Sequence, residues 1–362
     1  MKPEVLMIAG ARPNFMKIAP IASAVRADGR LTGEILHTEQ HYDRAMSELF
    51  FEQLGIPEPT IRLGVGSGSH AKQTAEIMIR LEPVLVERRP AAILVVGDVN
   101  STVASALVAV KLGIPVAHVE AGLRSFDRTM PEEINRILTD AISDWLFVSE
   151  RSGLDNLARE GVAAEKVHFV GNVMIDTLLR FRDQAVRLDV PSRMGLRANA
   201  YAVVTLHRPA NVDDPVVLRD MMGPLVELSE RMPVLFPVHP RTAATLARAG
   251  IEAGAGLRLI DPLGYLEFLG LLASARLVLT DSGGIQEETT VLGVPCVTLR
   301  ENTERPVTVE QGTNRLAGVR SDGIRAAIEE ALAVPATSAA PELWDGRASL
   351  RIVDVMARAL GR

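Results

Sequence analysis

Three acidic residues occur where predicted strands end or where the next helix begins in the first half of the chain. Asp98 follows the apolar run 92–97, Glu120 ends the run 116–120, and Glu132 lies in the first turn of a predicted helix. The carboxyl ends of parallel strands meet at one edge of a sheet, so we expect these carboxylates at the same edge. Crowded carboxylates raise one another's pKa, which suits the removal and return of a proton. These three residues are the candidate acids and bases.

The same acids also have purely structural explanations. Asp98 could cap the helix that follows it. Acidic residues in the first turn of a helix commonly complement its dipole, and for Glu133 this is the favoured interpretation. For Asp98, Glu120 and Glu132 we favour catalysis, because three consecutive elements each bring an acid to one edge.

The run D-S-G-G-I-Q-E-E, residues 281–288, predicts a phosphate site. A strand is expected to end just before it, and Ser282, Gly283 and Gly284 then begin a helix. Exposed backbone N–H groups at a glycine-rich helix start bind phosphate well. A carboxylate one turn further on could accept hydrogen bonds from ribose hydroxyls. The alternative is an ordinary capped helix, but we favour a nucleoside diphosphate site.

Cationic residues follow predicted strands in both halves of the chain. In the first half, the run G-A-R-P-N-F-M-K holds Gly10, Arg12 and Lys17 at a predicted helix start. Such a start presents backbone N–H groups to an anion, although a tight turn with solvated charges is the alternative. In the second half, two histidine–arginine pairs follow strands and predict a cationic wall: His207, Arg208, His239 and Arg241.

The composition is that of an ordinary globular protein of 362 residues, with 47% hydrophobic and 23% charged residues. Lys and Arg number 39 against 45 Asp and Glu, a net charge of −6, so no nucleic-acid partner is expected. No apolar stretch reaches the ~18 residues of a membrane span, and the start does not resemble a signal peptide. The single cysteine, Cys296, excludes an intramolecular disulfide. We expect a cytoplasmic protein without membrane attachment, with Cys296 and His118 buried in its core.

Eleven short apolar runs alternate with helical stretches along the chain. They are continuously apolar rather than alternating, as in parallel strands covered on both faces. The predicted fold is α/β, with two Rossmann-like doubly wound domains facing a central cleft. The expected domains are 1–172, carrying the acids, and 173–346, binding the nucleotide. The stretch 190–198 is an alternative linker, and a terminal helix at about 347–362 is expected to pack back on the first domain.

Taken together, the motifs resemble the non-hydrolysing UDP-N-acetylglucosamine 2-epimerases. The resemblance runs in order from about residue 5 to 315. It is carried by G-A-R-P-N-F-M-K, G-D-V-N-S-T, H-V-E-A-G-L-R-S-F-D-R-x-M-P-E-E-I-N-R, G-N-V-M-I-D, T-L-H-R, D-S-G-G-I-Q-E-E and T-E-R-P-V-T. It implies the glycosyltransferase-B-type fold, a homodimer, and reversible conversion of UDP-GlcNAc to UDP-ManNAc.

The resemblance also implies roles for individual residues. Asp98, Glu120 and Glu132 would be the acids and bases, and His207 would assist near the diphosphate. Loss of UDP would leave 2-acetamidoglucal, and UDP would then add back. No metal-binding, Walker or dehydrogenase motif is present, so no metal and no cofactor are expected. The residues assigned to UDP and diphosphate binding are Gly10, Arg12, Lys17, Arg208, His239, Arg241, Phe268, Ser282, Gly283, Gly284 and Glu288.

Some positions depart from the family pattern. Members activated by a second UDP-GlcNAc carry T-G-Q-H followed by a further glutamine, and an arginine before Q-T. Here residues 38–43 read T-E-Q-H-Y-D, and Lys72 precedes Gln73. These positions therefore do not match the pattern of the members that are activated by substrate. H-Y-D also resembles enzymes acting on UDP-2,3-diacetamido-2,3-dideoxyglucuronate, so the alternatives are a modified UDP sugar, or a hydrolysing epimerase that releases ManNAc and UDP.

Overall fold

The computed structural model describes residues 2–40, 53–238, 240–251, 254, 256–333 and 340–361. The chain forms two compact units, each with its own parallel sheet. The first unit consists of Met1–Thr177 together with Glu342–Arg362, and the second consists of Leu178–Pro341.

Strands and helices alternate through both units. The strands are β1 (Glu4–Ala9), β2 (Thr32–His37), β3 (Ile61–Arg62), β4 (Ala92–Val96), β5 (Val116–Ala121), β6 (Trp145–Val148), β7 (Val167–Phe169), β8 (Ala202–Thr205), β9 (Val234–Pro237), β10 (Leu257–Ile260), β11 (Leu277–Thr280), β12 (Cys296–Thr298) and β13 (Asn314–Leu316). The helices are α1 (Arg12–Asp28), α2 (His70–Arg88), α3 (Asn100–Lys111), α4 (Pro131–Ile142), α5 (Arg151–Arg159), α6 (Val173–Arg187), α7 (Val190–Arg193), α8 (Pro209–Val212), α9 (Pro215–Ser229), α10 (Pro240–Arg248), α11 (Tyr265–Ala273), α12 (Gly283–Leu292), α13 (Val307–Glu310), α14 (Ser321–Ala333) and α15 (Ala348–Leu360).

The first sheet has seven strands in the order β3-β2-β1-β4-β5-β6-β7. All its neighbours are parallel. The central strands are apolar on both faces because helices cover both sides, so β4 is buried along its whole length. Leu6, Ile93 and Val116, from three neighbouring strands, lie in one apolar cluster.

The second sheet has six parallel strands in the order β10-β9-β8-β11-β12-β13. In both sheets the order reverses once, between β1 and β4 and between β8 and β11. Ligands of doubly wound sheets bind outside the carboxyl ends of the strands at such a reversal. The fold therefore marks one edge of each unit as a place for chemistry.

The predicted α/β fold with doubly wound parallel sheets is confirmed in both units. Two short edge strands, β3 and β13, were not predicted, because their sequences, I-R and N-R-L, contain polar or charged residues and form no continuous apolar run. The alternative linker at 190–198 instead contains the helix α7, in which Val190 and Pro191 are buried.

The helix α15 belongs to the first unit, although the entire second unit precedes it in the sequence. Asp176 accepts hydrogen bonds from the backbone N–H groups of Ala348 and Ser349 at the start of this helix. Trp344, which we assigned to the second domain, is buried, and its indole Nε1 donates to the Ser149 carbonyl. The boundary between the units falls inside α6, after Thr177.

Candidate functional site

In the first unit, Glu120 lies at the carboxyl end of β5 in an unusual backbone conformation. Its φ is 71°, and the pairing of β5 with β6 shifts register between Val119 and Ala121. A side chain other than glycine rarely adopts this left-handed region, at a cost of about 1–3 kcal/mol. The Lys17 Nζ, from α1, donates to Glu120 Oε2 at 2.5 Å. The ion pair fixes the position of this carboxylate, and the strained backbone shows that the surrounding structure fixes Glu120 as well.

Gly97, at the end of β4, lies directly against this ion pair. A Cβ added there would lie 2.9 Å from Lys17 Nζ and 3.6 Å from Glu120 Oε2, and the φ of Gly97 is 67°. The predicted residues Lys17 and Glu120 are therefore brought together beside Asp98, the next residue in the chain. Asp98 itself is about a third exposed.

Asp98 pairs with Arg136, a buried residue of α4. The same guanidinium donates to Glu133 Oε2 at 2.6 Å, and Asn135 Nδ2 donates to the Asp98 carbonyl. The capping role considered for Asp98 is wrong, because the residue at the cap of α3 is Val99. Glu132 lies half-buried in the first turn of α4, on the element that contacts Asp98.

Glu133 does more than complement the dipole of α4, the role that we expected. Its carboxylate accepts the backbone N–H groups of Ser125 and Phe126 at 2.9 and 2.8 Å, and the Ser125 hydroxyl at 3.0 Å. Phe126 has a φ of 60° and a side chain that is 74% exposed. These hydrogen bonds explain the burial of Glu133 and fix the loop that follows β5.

Gly10 follows β1 directly and lies in a closely packed position. Its N–H and that of Ala11 both donate to Asn14 Oδ1, at 3.0 and 2.8 Å. A Cβ on Gly10 would lie 1.7 Å from Ser101 Oγ, so the glycine permits close packing of β1 against α3. The side chain of Arg12 lies outside the described part of the chain.

His118 is a core residue, as predicted. Its Nδ1 is 2.7 Å from Asp140 Oδ1, and its Nε2 is 2.9 Å from the Gly97 carbonyl. Burial alone would raise the pKa of Asp140, but the contacts with His118 and Arg124 lower it below its usual value. Cys296 is buried, also as predicted, and burial raises the pKa of its thiol to about 12.

In the second unit, Asp281 organises the turn that follows β8. It is fully buried and accepts the backbone N–H groups of His207 and Arg208, the latter at 3.0 Å. It also accepts from Asn211 Nδ2 at 3.1 Å, and its Oδ1 is 2.8 Å from His207 Nδ1. His207 and Arg208 are thus brought to the start of α12. His239 and the side chain of Arg241 lie outside the described residues.

Gly283 begins α12 in a closely packed position. A Cβ there would lie 2.7 Å from Glu304 Oε1 and 3.0 Å from Arg305 Nη1. Arg305 donates to Glu304 at 2.9 Å and to Glu287 at 2.6 Å. The first N–H groups of a helix have no partner inside it, so this helix start can bind an anion. Ser282 and Gly284, which flank Gly283, are half-buried.

Glu288 is almost completely buried in α12. Burial, together with the neighbouring charge of Glu287, raises the pKa of Glu288 to about 8. The hydroxyl of Tyr265, in α11, donates to Glu288 Oε1 at 3.4 Å. Phe268, three residues after Tyr265, is half-buried and packs against an apolar cluster that contains residues of β8 and β11.

Sequence reasoning missed several residues of these clusters. Asp281, Arg136 and Arg305 all lie inside motifs quoted above, D-S-G-G, E-I-N-R and T-E-R-P. They were given no role, because a residue's place in a motif shows nothing of the distant partner that it binds. Within the described residues, no group of three His, Cys, Asp or Glu side chains could hold a metal ion, and no helix is long and apolar enough to cross a membrane.

Residues 23–357 match the family model described as UDP-N-acetylglucosamine 2-epimerase. The chain belongs to this family. It is 43% identical to a UDP-2,3-diacetamido-2,3-dideoxy-D-glucuronate 2-epimerase of Pseudomonas aeruginosa, over 98% of this chain and 99% of that one. It is also 43% identical to a UDP-N-acetylglucosamine 2-epimerase of Methanocaldococcus jannaschii, over 90% and 91%.

The chain is also similar in structure to the Methanocaldococcus jannaschii epimerase, whose crystal structure was solved in complex with UDP-GlcNAc and UDP. The TM-score is 0.92 at 41% identity, covering 98% of this chain and 99% of that one. The resemblance based on the motifs is therefore confirmed, as is the fold class that it implied.

Some of the positions that differ from the family members activated by substrate lie in the described part of the chain. Lys72 is exposed in the first turn of α2, and its N–H donates to Ser69 Oγ. Gln73 Nε2 donates to the carbonyls of Gln40 and Gly66. Residues 41–43, the H-Y-D segment, lie outside the described part of the chain.

Proposed function

We propose that this epimerase interconverts UDP-N-acetylglucosamine and UDP-N-acetylmannosamine without hydrolysis. The observation that carries the proposal is the convergence of Lys17–Glu120 and Arg136–Asp98 at the carboxyl ends of β4 and β5. Two carboxylates held at one edge by separate cations supply the groups needed to remove a proton and to return it.

The reaction begins with cleavage of the bond between C1 and the diphosphate oxygen. The electron pair leaves with UDP, and the positive character at C1 acidifies the C2–H bond. A carboxylate takes the C2 proton, and the C–H electrons form the double bond of 2-acetamidoglucal. A proton then returns to the opposite face of C2, and UDP adds back at C1. The candidates for proton transfer are Asp98, Glu120 and Glu132.

The second unit supplies groups suited to the leaving diphosphate. The start of α12, with Ser282, Gly283 and Gly284, offers backbone N–H groups. Cationic side chains add to these donors, among them Arg208 and Arg305, and donors aimed at developing charge lower the barrier. Glu288 would hold the ribose, and Phe268 would border the uracil. The residues that complete the proposed diphosphate set are Gly10, Arg12, Lys17, His207, His239 and Arg241.

A modified UDP sugar is the second candidate substrate. The Pseudomonas aeruginosa relative is named for UDP-2,3-diacetamido-2,3-dideoxy-D-glucuronate, and H-Y-D resembles such enzymes. We further propose a homodimer in the cytoplasm, with the product serving polysaccharide synthesis. The homodimer is supported by exposed apolar side chains on helices of the first unit, Ile79 and Val86 on α2 and Leu138 on α4.

The test is proton NMR of the purified protein with UDP-GlcNAc in D₂O, without added metal or NAD. We expect deuterium to enter C2 as UDP-ManNAc appears. Free ManNAc with UDP would show a hydrolysing epimerase instead. Exchange only with the diacetamido-glucuronate sugar would establish the second candidate, and exchange with neither sugar would refute the 2-epimerase proposal.

A further inference from the structure

Asp281 is a carboxylate with several hydrogen bonds at the strand edge of the second unit. It follows the last residue of β11 and has no solvent exposure. Its Oδ2 accepts the N–H groups of His207 and Arg208 and the amide of Asn211, all at 3.0–3.1 Å. The backbone thus fixes which way the carboxylate faces. Burial would raise the pKa of Asp281, but the hydrogen bond and charge of His207, with those other donors, lower it below its usual value.

The other carboxylate oxygen, Oδ1, faces the His207 ring. It lies 2.8 Å from Nδ1, a distance typical of a charge-assisted hydrogen bond. The side chain of His207 is nevertheless 63% exposed. Since Nδ1 is directed at a buried carboxylate, Nε2 is the ring nitrogen left to meet a ligand. A carboxylate accepts only, so Nδ1 must carry the proton in this contact.

We propose that Asp281 is a positioning residue, which binds Nδ1–H of a doubly protonated His207 ring and so aims Nε2–H at the diphosphate. This inference rests on the proposed function. With UDP bound, Nδ1–H donates to Asp281 and Nε2–H donates to a phosphate oxygen. When the C1–O bond breaks, its electron pair stays on that oxygen and the hydrogen bond to it strengthens. No proton has to leave the ring, and the reverse step restores the starting state.

The Asp281→Asn substitution separates this role from a merely structural one. The asparagine oxygen can accept the same backbone N–H groups, which places its NH₂ toward the ring. Nδ1 must then accept a hydrogen bond, so the ring cannot keep its proton there. The ring of the variant then keeps Nε2–H but loses the second proton and its positive charge, so it stabilises the charge on the leaving diphosphate less.

The measurement is ¹⁵N NMR of histidine-labelled protein saturated with UDP, with His207→Gln assigning the ring signals. We expect both His207 nitrogens to be protonated in the wild type and Nδ1 to be unprotonated in Asp281→Asn. An unprotonated Nδ1 in the UDP-bound wild type would overturn the proposal without any variant. A protonated Nδ1 in Asp281→Asn would overturn it as well.

Kinetics give a second, independent measurement. We expect Asp281→Asn to lower kcat about 10–10³-fold, because the ring loses the charge that stabilises the leaving diphosphate, while KM changes less than about threefold. In a His207→Gln background the same substitution should have little further effect on kcat, because it acts through His207. An equal loss in both backgrounds would overturn the proposal. Asp214→Asn, the same chemical change at an exposed helix cap nearby, is the matched control.

The outcomes also distinguish this inference from the proposed function. The ring protonation is measured with UDP alone and needs no turnover. If the wild type exchanges C2 with neither sugar in D₂O, the proposed function fails while the NMR result on Asp281 stands.

Discussion

Glu120 and Asp98 each depend on a cation supplied by a different helix. Lys17 reaches Glu120 from α1, and Arg136 reaches Asp98 from α4. Arg136 is buried, so removing its partners would leave a guanidinium without compensation, which commonly costs about 3–5 kcal/mol. Substitutions that keep a hydrogen-bond acceptor are therefore the ones that isolate chemistry from folding.

Asp98→Asn is such a substitution. The amide oxygen can still accept from Arg136, but it cannot take up a proton from C2. We expect kcat for C2 exchange to fall about 10²–10⁴-fold, while UDP affinity measured by calorimetry changes less than about threefold. Asp155→Asn, at an exposed position of α5, is the matched control. Full activity in Asp98→Asn would remove this residue from the mechanism.

The raised pKa of Glu288 predicts that the free energy of unfolding falls as pH rises. Its pKa of about 8 lies far above the ordinary 4.5. Between these values the unfolded chain releases this proton and the folded chain keeps it, so the free energy of unfolding falls as pH rises. Glu288→Gln should therefore be more stable than the wild type above pH 8, by at least about 1 kcal/mol, with the difference vanishing below pH 4.5.

Thermal unfolding at pH 5, 7 and 8.5 measures this difference. Glu310→Gln, at an exposed position of α13, controls for the loss of one carboxylate. A stability difference that stays constant across this pH range would contradict the raised pKa of Glu288.

At the scale of elements, the start of α12 combines a helix terminus with a packed glycine. Glu304 and Arg305 lie so close to Gly283 that any side chain there must displace them. Both are buried and bound to one another, and Arg305 also binds Glu287. A side chain added in this turn would therefore move the charged side chains beside the proposed diphosphate site.

Gly283→Ala should weaken UDP binding about tenfold or more, measured as Kd by calorimetry. The reason is that the new Cβ moves Glu304 and Arg305 and narrows the approach to the helix start. Gly223→Ala is a matched control, since that glycine lies in α9 with open space around its Cβ position. It should leave Kd unchanged and stabilise the helix by about 0.5–1 kcal/mol. An unchanged Kd in Gly283→Ala would show that this turn does not hold the diphosphate.

The sequence predicted the strands and the acids at their ends, but not the contacts among them. Continuous apolar runs identified β4 and β5, and the rule for parallel sheets then placed Asp98 and Glu120 at one edge. Lys17 and Glu120 are 103 residues apart, and no local pattern joins them. Likewise the φ of Glu120 depends on the register shift between β5 and β6, which pairing creates and no single strand encodes.

At the scale of the whole molecule, exposed apolar side chains on α2 and α4 favour the association of two copies. Ile79 and Val86 are seven residues apart and lie on one face of α2, exposed by 65% and 48%. Leu138 is exposed on α4, and α3 contacts both helices. Apolar side chains of this kind are suited to the core of an interface between copies.

A double substitution, Ile79→Lys with Val86→Lys, should convert the proposed homodimer to a monomer. Two desolvated ammonium groups on each copy would oppose burial of that face. Light scattering after size-exclusion chromatography gives the mass in solution. Val216→Lys, at a 71% exposed position of α9, is the control and should keep the dimer. A dimer that survives the double substitution would place the interface elsewhere.

The return of residues 342–361 to the first unit has a consequence during synthesis. Three residues of the first unit accept hydrogen bonds from partners that emerge from the ribosome only after the entire second unit: Asp176, Ser149 and Val170. At ordinary translation rates this interval is roughly 10–30 s. The nascent first unit spends that time with its α15 surface uncovered, exposed to chaperones and proteases, while the second unit can fold as soon as its own residues emerge.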